Sequence, residues 1–327
     1  MRKYTFLLLA LVCLTAPVQA QLSKREINRR DSSRPGSRED YFINTLQLID
    51  LPTASLLKGG NVSGSLLLFE EGGMLARLSA GISERMMFGI SYGADYIIGD
   101  QVIKWNDAPA VHIAYRAVDE SARFFSVVFG LDTQGYGKYW RDSDYPDALP
   151  GQIDPTKVPY KRYTYKSRGF YAVASKNYRA FWNVGLHVGA NYSLETSDKD
   201  RFPDLFCGMD WQLGRDLAVV AEYSFAFNND EIPMPAGSNG LVRNNFGSKG
   251  FLNAGVRWAF QPNMFLEFAA KNLLADNLGN RDYVRVLKIV YFTRATDRDT
   301  RNTQARKLSI WERIFGSRRR DENSRDR

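Results

Sequence analysis

Large apolar residues alternate with small or polar ones, without a break, along residues 181–194. The apolar set is Trp182, Val184, Leu186, Val188, Ala190, Tyr192 and Leu194, and the other set is Asn183, Gly185, His187, Gly189, Asn191 and Ser193. A period of two places these sets on opposite faces of a β-strand. A tilted strand crosses a bilayer with about 9–11 residues, and aromatic residues suit the two interfaces. We interpret this run as a transmembrane strand.

The same two-residue period recurs in eleven other segments. They are residues 62–69, 74–82, 88–98, 111–116, 123–132, 170–175, 205–213, 217–227, 252–260, 264–272 and 284–292. No segment shows a helical period, so helices interleaved with a parallel sheet are not expected. The pattern therefore predicts an all-β protein, a transmembrane antiparallel up-and-down β-barrel of about 12 strands.

The predicted connections differ in length at the two ends of the strands. The tight ones are residues 83–85, 118–120, 176–179, 214–216 and 261–263. The longer ones are residues 99–109, 133–169, 195–204, 228–250 and 273–283, and residues 70–73 form the one short connection on that side. Short turns at one end and long loops at the other are typical of an outer-membrane barrel whose long loops face the exterior.

Alternation by itself does not say whether the apolar face meets lipid or fills the interior of a soluble barrel. Aromatic residues cluster at predicted strand ends: Phe88, Tyr96, Trp182, Tyr192, Trp211, Tyr223, Trp258 and Tyr291. The loops also segregate by length, and the chain begins with an export signal. These three observations favour lipid over a protein interior.

The export signal is predicted at residues 1–20, with Arg2 and Lys3 before an apolar core and cleavage before Gln21. The chain has 44 basic and 36 acidic residues, so its net charge of +8 falls to +6 in the mature protein. Export makes nucleic acid a poor partner despite this charge. We predict the outer membrane of a Gram-negative-type bacterium. Only Cys207 remains after cleavage, which excludes an intrachain disulfide.

Two tails flank the predicted barrel of residues 46–292. Residues 21–45 are rich in charge and predict a disordered periplasmic arm. Residues 46–60 are more apolar and are expected to be a plain lead-in to the first strand, with a plug of the barrel as the alternative. Residues 293–327 form a basic periplasmic tail, in which residues 308–315 could be either a short amphipathic helix or part of a solvated tail.

The face opposite to lipid predicts the residues that line the lumen. They are Arg77, Asp95, His112, Arg116, Asp132, His187, Asp210, Glu222, Arg257, Glu267, Lys271 and Lys288. Both signs of charge are present, so pairing across neighbouring strands is expected. These charges either lock a narrow, filled barrel or line a path for a polar solute. The loop of residues 133–169 is long enough to fold inward.

Catalysis is not expected from these residues. The alternation places both histidines, His112 and His187, on the lumen face, and no Gly-x-Ser-x-Gly motif lies near them. No metal-ligand spacing or phosphate-binding glycine loop is present, so neither a metal nor another cofactor is predicted. An outer-membrane lipid hydrolase that uses one of the histidines is the alternative.

Several segments resemble the YjbH-type family of outer-membrane barrel proteins. They are Leu51-Pro52-Thr53-Ala54, Lys58-Gly59-Gly60, residues 81–93, Ile98-Gly99, residues 169–177 and Ala221-Glu222-Tyr223. The resemblance spans most of residues 50–292. It implies an outer-membrane barrel linked to exopolysaccharide production or export, and it brings no catalytic residues. The basic tail departs from the family pattern.

The predicted function is a small conduit or accessory for an envelope glycan or another polar solute. The alternative is a structural anchor whose basic tail binds peptidoglycan or a periplasmic protein. The expected partners are outer-membrane lipid and the barrel-assembly machinery, and the barrel is expected to be a monomer.

Overall fold

The computed structural model describes residues 45–140, 161–178, 183–197, 201–228, 232–236, 240–244, 250–274 and 284–293. The predicted signal peptide, the arm up to residue 44 and the tail from residue 294 lie outside these ranges, as do residues 141–160. Within the described ranges, no helix is long and apolar enough to cross a membrane.

The described chain consists of strands joined by turns and loops, with one 3-10 turn at Glu70–Gly72. In chain order the strands are β1 (Val62–Phe69), β2 (Gly73–Ser83), β3 (Met86–Asp95), β4 (Lys104–Trp105), β5 (Ala110–Val118), β6 (Ser126–Asp132), β7 (Tyr136–Trp140), β8 (Arg162–Tyr165), β9 (Gly169–Tyr178), β10 (Asn183–Tyr192), β11 (Asp204–Gln212), β12 (Leu217–Ser224), β13 (Ile232–Ala236), β14 (Gly240–Asn244), β15 (Phe251–Gln261), β16 (Met264–Lys271) and β17 (Val284–Phe292).

Twelve of these strands close into an antiparallel barrel. Its order is β1-β2-β3-β5-β6-β9-β10-β11-β12-β15-β16-β17, and β17 pairs back onto β1. The closing register runs from Ser63 opposite Phe292 to Leu68 opposite Leu287. Closure satisfies the backbone groups that would be unpaired at a sheet edge, which a strand in lipid requires. The prediction of a 12-stranded up-and-down barrel is confirmed.

The outer face of the barrel is apolar. Leu78, Phe129 and Phe268 are each more than half exposed, at 53%, 53% and 55%. Their neighbours along the strands, such as Ser79 and Glu267, are buried inside. Exposed apolar side chains in such continuous alternation are the pattern of a strand whose outer face contacts hydrocarbon. The predicted assignment of faces in β10 is also found, with His187 and Asn191 buried.

Connection lengths follow the predicted asymmetry. Residues 84–85, 213–216 and 262–263 link neighbouring strands at one end of the barrel, whereas residues 225–250 link β12 to β15 at the other. The loops at that second end contain elements that the alternation did not predict, namely β4, the β7–β8 hairpin and the β13–β14 hairpin. Strand bounds differ from prediction by up to three residues; β3, for example, ends at Asp95 because Tyr96 adopts a positive φ of 60°.

Residues 45–57 run inside the barrel, and we call them the plug. The expectation of a plain lead-in is wrong, and the alternative of a plug is correct. Leu48, Ile49, Leu51 and Leu57 are at most 2% exposed. They pack on inward apolar residues of the wall, including Leu67, Leu75, Met87, Val128, Val173, Phe206, Val220 and Val286. An apolar segment next to a barrel with these inward residues is removed from water by entering it.

Candidate functional site

The plug fills much of the lumen, and its apolar side chains contribute a large part of its stability there. Burial of a leucine or isoleucine side chain stabilises by about 1.5–3 kcal/mol, so the four most buried ones contribute on the order of 10 kcal/mol as an upper estimate. The fit is close at Gly208, where an added Cβ would lie 2.4 Å from Leu48 Cδ1. A glycine on β11 therefore makes room for Leu48.

Glu222 on β12 holds the plug through its backbone. Its carboxylate accepts hydrogen bonds from the backbone N–H of Asp50, at 3.0 and 3.1 Å, and of Leu51, at 2.9 Å. The side chain of Asn253 donates to the same carboxylate at 2.7 Å. Hydrogen bonds to an ionised group are about twice as strong as neutral ones. Glu222 was predicted to line the lumen, and its carboxylate binds the backbone of the plug there.

Asp50 forms the second polar contact between plug and wall. Its carboxylate pairs with the Lys271 ammonium at 2.5 Å and accepts a hydrogen bond from the Tyr136 hydroxyl at 2.6 Å. Burial raises the pKa of Asp50, but the charges of Lys271 and Arg168 outweigh it, so the pKa lies below its ordinary value of 3.8. Burial, and then the charge of Asp50, raise the pKa of Tyr136 well above 10.0.

The Lys271 ammonium also lies over two aromatic rings of the loop between β6 and β9. It is 4.4 Å from the ring centroid of Tyr136 and 3.4 Å from that of Tyr165. Attraction between a cation and a ring is strongest where water is excluded. One lysine of the wall therefore links the plug to the β7–β8 hairpin, and the expectation that this loop folds inward holds for its described part.

Two further wall residues bind the plug through its carbonyl groups, and a third residue pairs with both of them. Arg257 donates to the backbone oxygens of Gln47 at 2.7 Å and Leu48 at 3.0 Å. Lys288 donates to the backbone oxygen of Ile49 at 2.7 Å. Glu267 forms ion pairs with both cations, at 2.5 Å to Arg257 and 3.1 Å to Lys288. These charges are buried but paired, as buried charges need to be.

The plug is also held at Ala54. The Ser175 hydroxyl oxygen accepts a hydrogen bond from the Ala54 N–H at 2.8 Å. Ser175 Oγ lies 2.7 Å from His187 Nδ1, and His187 Nε2 lies 2.7 Å from the Asp210 carboxylate. This row of serine, histidine and carboxylate has the order of a hydrolase triad. However, the Ser175 hydroxyl already accepts the hydrogen bond from the Ala54 N–H. The space between plug and wall includes three cavities, which are described below, and Ser175 lines none of them.

The structure places the remaining predicted lumen residues as follows. Arg77 pairs with Asp132 at 2.9 Å, and His112 Nε2 lies 2.8 Å from the Tyr171 hydroxyl. Arg116 donates to the Ala54 carbonyl at 3.3 Å, and Asp95 is buried at the end of β3. The alternation did not identify Asp50, which lies in the plug, or Tyr165 and Arg168, which lie in a loop. No periodic signal marks those positions.

Between the plug and one side of the wall, narrow space remains. Two cavities of about 70 and 50 Å³ share the lining residues Gln47, Asp50, Ser65, Arg77, Asp132, Arg168 and Lys288. The first reaches Ser63 and Phe292 at one end of the barrel, and the second reaches Gln134 and Lys166 at the loop end. The inward residues Ser63, Ser65 and Ser79 are small, which is why the plug does not meet the wall there.

No family model matches the sequence, and no curated protein matches it. Among solved structures the chain is similar to the KdgM porin, with 9% identity and a TM-score of 0.36 over 71% of this chain and 98% of that one. It is similar to the NanC porin, with 10% identity and a TM-score of 0.35 over 72% and 99%. It is also similar to Omp33 of Acinetobacter baumannii, with 8% identity and a TM-score of 0.35 over 72% and 97%. At these values the likeness does not extend to individual residues.

Proposed function

We propose that this protein is an outer-membrane channel that conducts small polar solutes along the gap between the plug and the β1–β2 wall. The observation that carries the proposal is the pair of neighbouring cavities, which share seven lining residues and together reach from Ser63 at the turn end to Lys166 at the loop end. We call this gap the side path. Serine hydroxyls and charged groups along it can replace part of the hydration of a polar solute.

The plug determines the size of solute that this function admits. Its apolar burial and its ionic contacts would all be lost if it left the lumen, at a cost on the order of 10 kcal/mol from apolar burial alone. Spontaneous opening would therefore be very rare. Passage of a glycan chain, which the resemblance to exopolysaccharide proteins implies, would require release of the plug. The side path suits ions and small molecules instead.

The outer face supports residence in a membrane. Phe129, Phe170 and Phe268 are exposed by 53%, 57% and 55%, which would be unfavourable in water over so wide a surface. Together with the predicted signal peptide, these exposed aromatic residues support the outer membrane as the location.

The test is single-channel conductance of the purified, folded protein in a planar bilayer. We expect a small, steady conductance, and we expect Ser65→Trp to reduce it strongly because the indole fills the side path. Gly64→Trp is the matched control, because Gly64 is the neighbouring residue and an added Cβ there meets no atom within 4 Å. Absence of current from correctly folded protein, or an equal loss in both variants, would contradict the proposal.

A further inference from the structure

The charges along the side path point to selection of small anions, both inorganic anions and small carboxylates. This inference rests on the proposed conduction and adds the class of solute. Four cations line the first cavity, Arg77, Arg168, Arg257 and Lys288, against two carboxylates, Asp50 and Asp132. Both carboxylates are already neutralised, Asp132 by Arg77 and Asp50 by Lys271.

Positive charge remains after all these pairs are formed. Glu267 forms ion pairs with both Arg257 and Lys288, so a single carboxylate faces two cations. Arg168 forms no ion pair with any residue in the described part of the chain, and it lines both cavities of the side path. A narrow path through a low-dielectric wall concentrates the field of such charges, which favours entry of the opposite sign.

The carboxylates that interact electrostatically with Arg168 each have another partner. Its charge acts on Asp50, Glu222 and Asp204. Asp50 pairs with Lys271, Glu222 accepts the plug amides, and Asp204 accepts the Asn228 N–H at 3.1 Å. Arg168 also lines a third cavity, together with Asp50, Glu222 and Asp204, and the serines Ser63, Ser65 and Ser79 do not line that cavity. The Arg168 guanidinium is therefore available to an anion in the side path, and its planar group of donors suits a carboxylate.

His112 supplies a second polar group to the same cavity. It is 9% exposed, and its Nδ1 atom is buried without a hydrogen-bond partner among the described residues. The other ring nitrogen is held by the Tyr171 hydroxyl at 2.8 Å. An unpaired buried polar atom is unfavourable, and a water or a solute oxygen in the cavity would satisfy it. The first cavity is thus lined by an arginine that forms no ion pair within the described residues and by a histidine whose Nδ1 atom has no hydrogen-bond partner there.

The experiment measures the reversal potential of the full-length protein in a planar bilayer under a potassium chloride gradient, and then with potassium acetate. We expect preference for the anion in both salts. Arg168→Gln should lower the ratio of anion to cation permeability by about fivefold, the effect of one charge at close range in water. Arg168→Glu should lower this ratio by about 25-fold, because it changes the charge by two. The matched control is Arg85→Gln, because Arg85 is an exposed cation at the turn between β2 and β3 that lines neither cavity.

The possible outcomes separate the two proposals. Conductance with cation preference in the wild type, or an unchanged reversal potential in Arg168→Glu, would overturn the anion inference while leaving the conduit intact. Lack of conductance in the wild type would remove the conduit itself. Gel migration of boiled and unboiled samples identifies variants that have not folded. The variant His112→Phe tests the hydrogen-bonding position separately. We expect it to weaken acetate permeation and to leave the preference for chloride over potassium unchanged.

Discussion

The Asp50 carboxylate lies 2.5 Å from the Lys271 ammonium, although the two residues are far apart in the chain. This ion pair joins the plug to β16, and the rings of Tyr136 and Tyr165 enclose the same ammonium from the loop side. The barrel wall, the plug and the β7–β8 hairpin therefore meet at one buried cation. Their stabilities should be coupled, because removal of any one partner leaves that cation with less compensation.

The first prediction concerns this ion pair. Asp50→Asn leaves Lys271 buried without a counter-charge, so we expect the free energy of unfolding to fall by about 3–5 kcal/mol. The measurement is urea unfolding in detergent micelles, followed by the gel mobility of unboiled samples. The double variant Asp50→Asn with Lys271→Met should recover most of the loss, since it removes the unpaired charge as well. A double variant as unstable as the single one would argue against this explanation.

The second prediction concerns pH. Because the folded-state pKa of Asp50 is lowered, its ionised form stabilises the folded protein fully above the ordinary value of 3.8. That contribution is lost as the pH falls below 3.8 through the lowered pKa. We expect the plug to loosen in this acid range, with larger and noisier conductance. Asp50→Asn should lack this transition, and an identical acid response in that variant would assign the effect to other groups.

The third prediction concerns the Glu222 carboxylate. Glu222→Gln keeps the shape of the side chain but loses the charge that binds the Asp50 and Leu51 amides, at a cost of about 1–3 kcal/mol. Hydrogen exchange of these two amides should become faster, whereas exchange in the barrel strands far from the plug should not. Glu84→Gln is the control, because Glu84 lies exposed in a turn. Unchanged protection of the plug amides would show that the carboxylate does not hold the plug.

The fourth prediction concerns apolar packing of the plug. Leu48 is fully buried, so Leu48→Ala should destabilise by about 2–5 kcal/mol through lost burial and the cavity left behind. Val102, at 84% exposed, provides the control Val102→Ala, which should have little effect. Equal stability of the two variants in urea would mean that the plug does not occupy the lumen in solution.

The fifth prediction concerns the row formed by Ser175, His187 and Asp210. Because Ser175 accepts the Ala54 amide and is 3% exposed, a fluorophosphonate probe should not label the folded protein. Ser175→Ala should weaken retention of the plug, and ester hydrolysis measured with this variant should equal that measured with the wild type. Labelling of Ser175 in folded protein, or hydrolysis that disappears in Ser175→Ala, would support the alternative of a lipid hydrolase.

Much of the wall of the candidate site could be predicted from the alternation of side chains between the two faces of each strand. Each lumen residue on a strand, such as His187 or Glu267, follows from the assignment of one face to lipid, because a strand has only two faces. The strand bounds were less well defined, since the ends depend on backbone changes such as the positive φ of Tyr96. Residues in the plug and in the loops have no such period, so their position inside the barrel could not be read in this way.

The sequence by itself determined the number of barrel strands, the two faces of each strand and the end that carries the long loops, because all three depend on local alternation and spacing. The aromatic strand ends, the loop lengths and the predicted export signal indicated which face meets lipid. Only the tertiary structure decided that the lumen is plugged, since this depends on contacts between distant parts of the chain, such as Asp50 and Leu51 with Glu222. The same apolar stretch before β1 could have been a simple lead-in. Its burial follows from the matching apolar and charged groups that closure of the barrel brings around it.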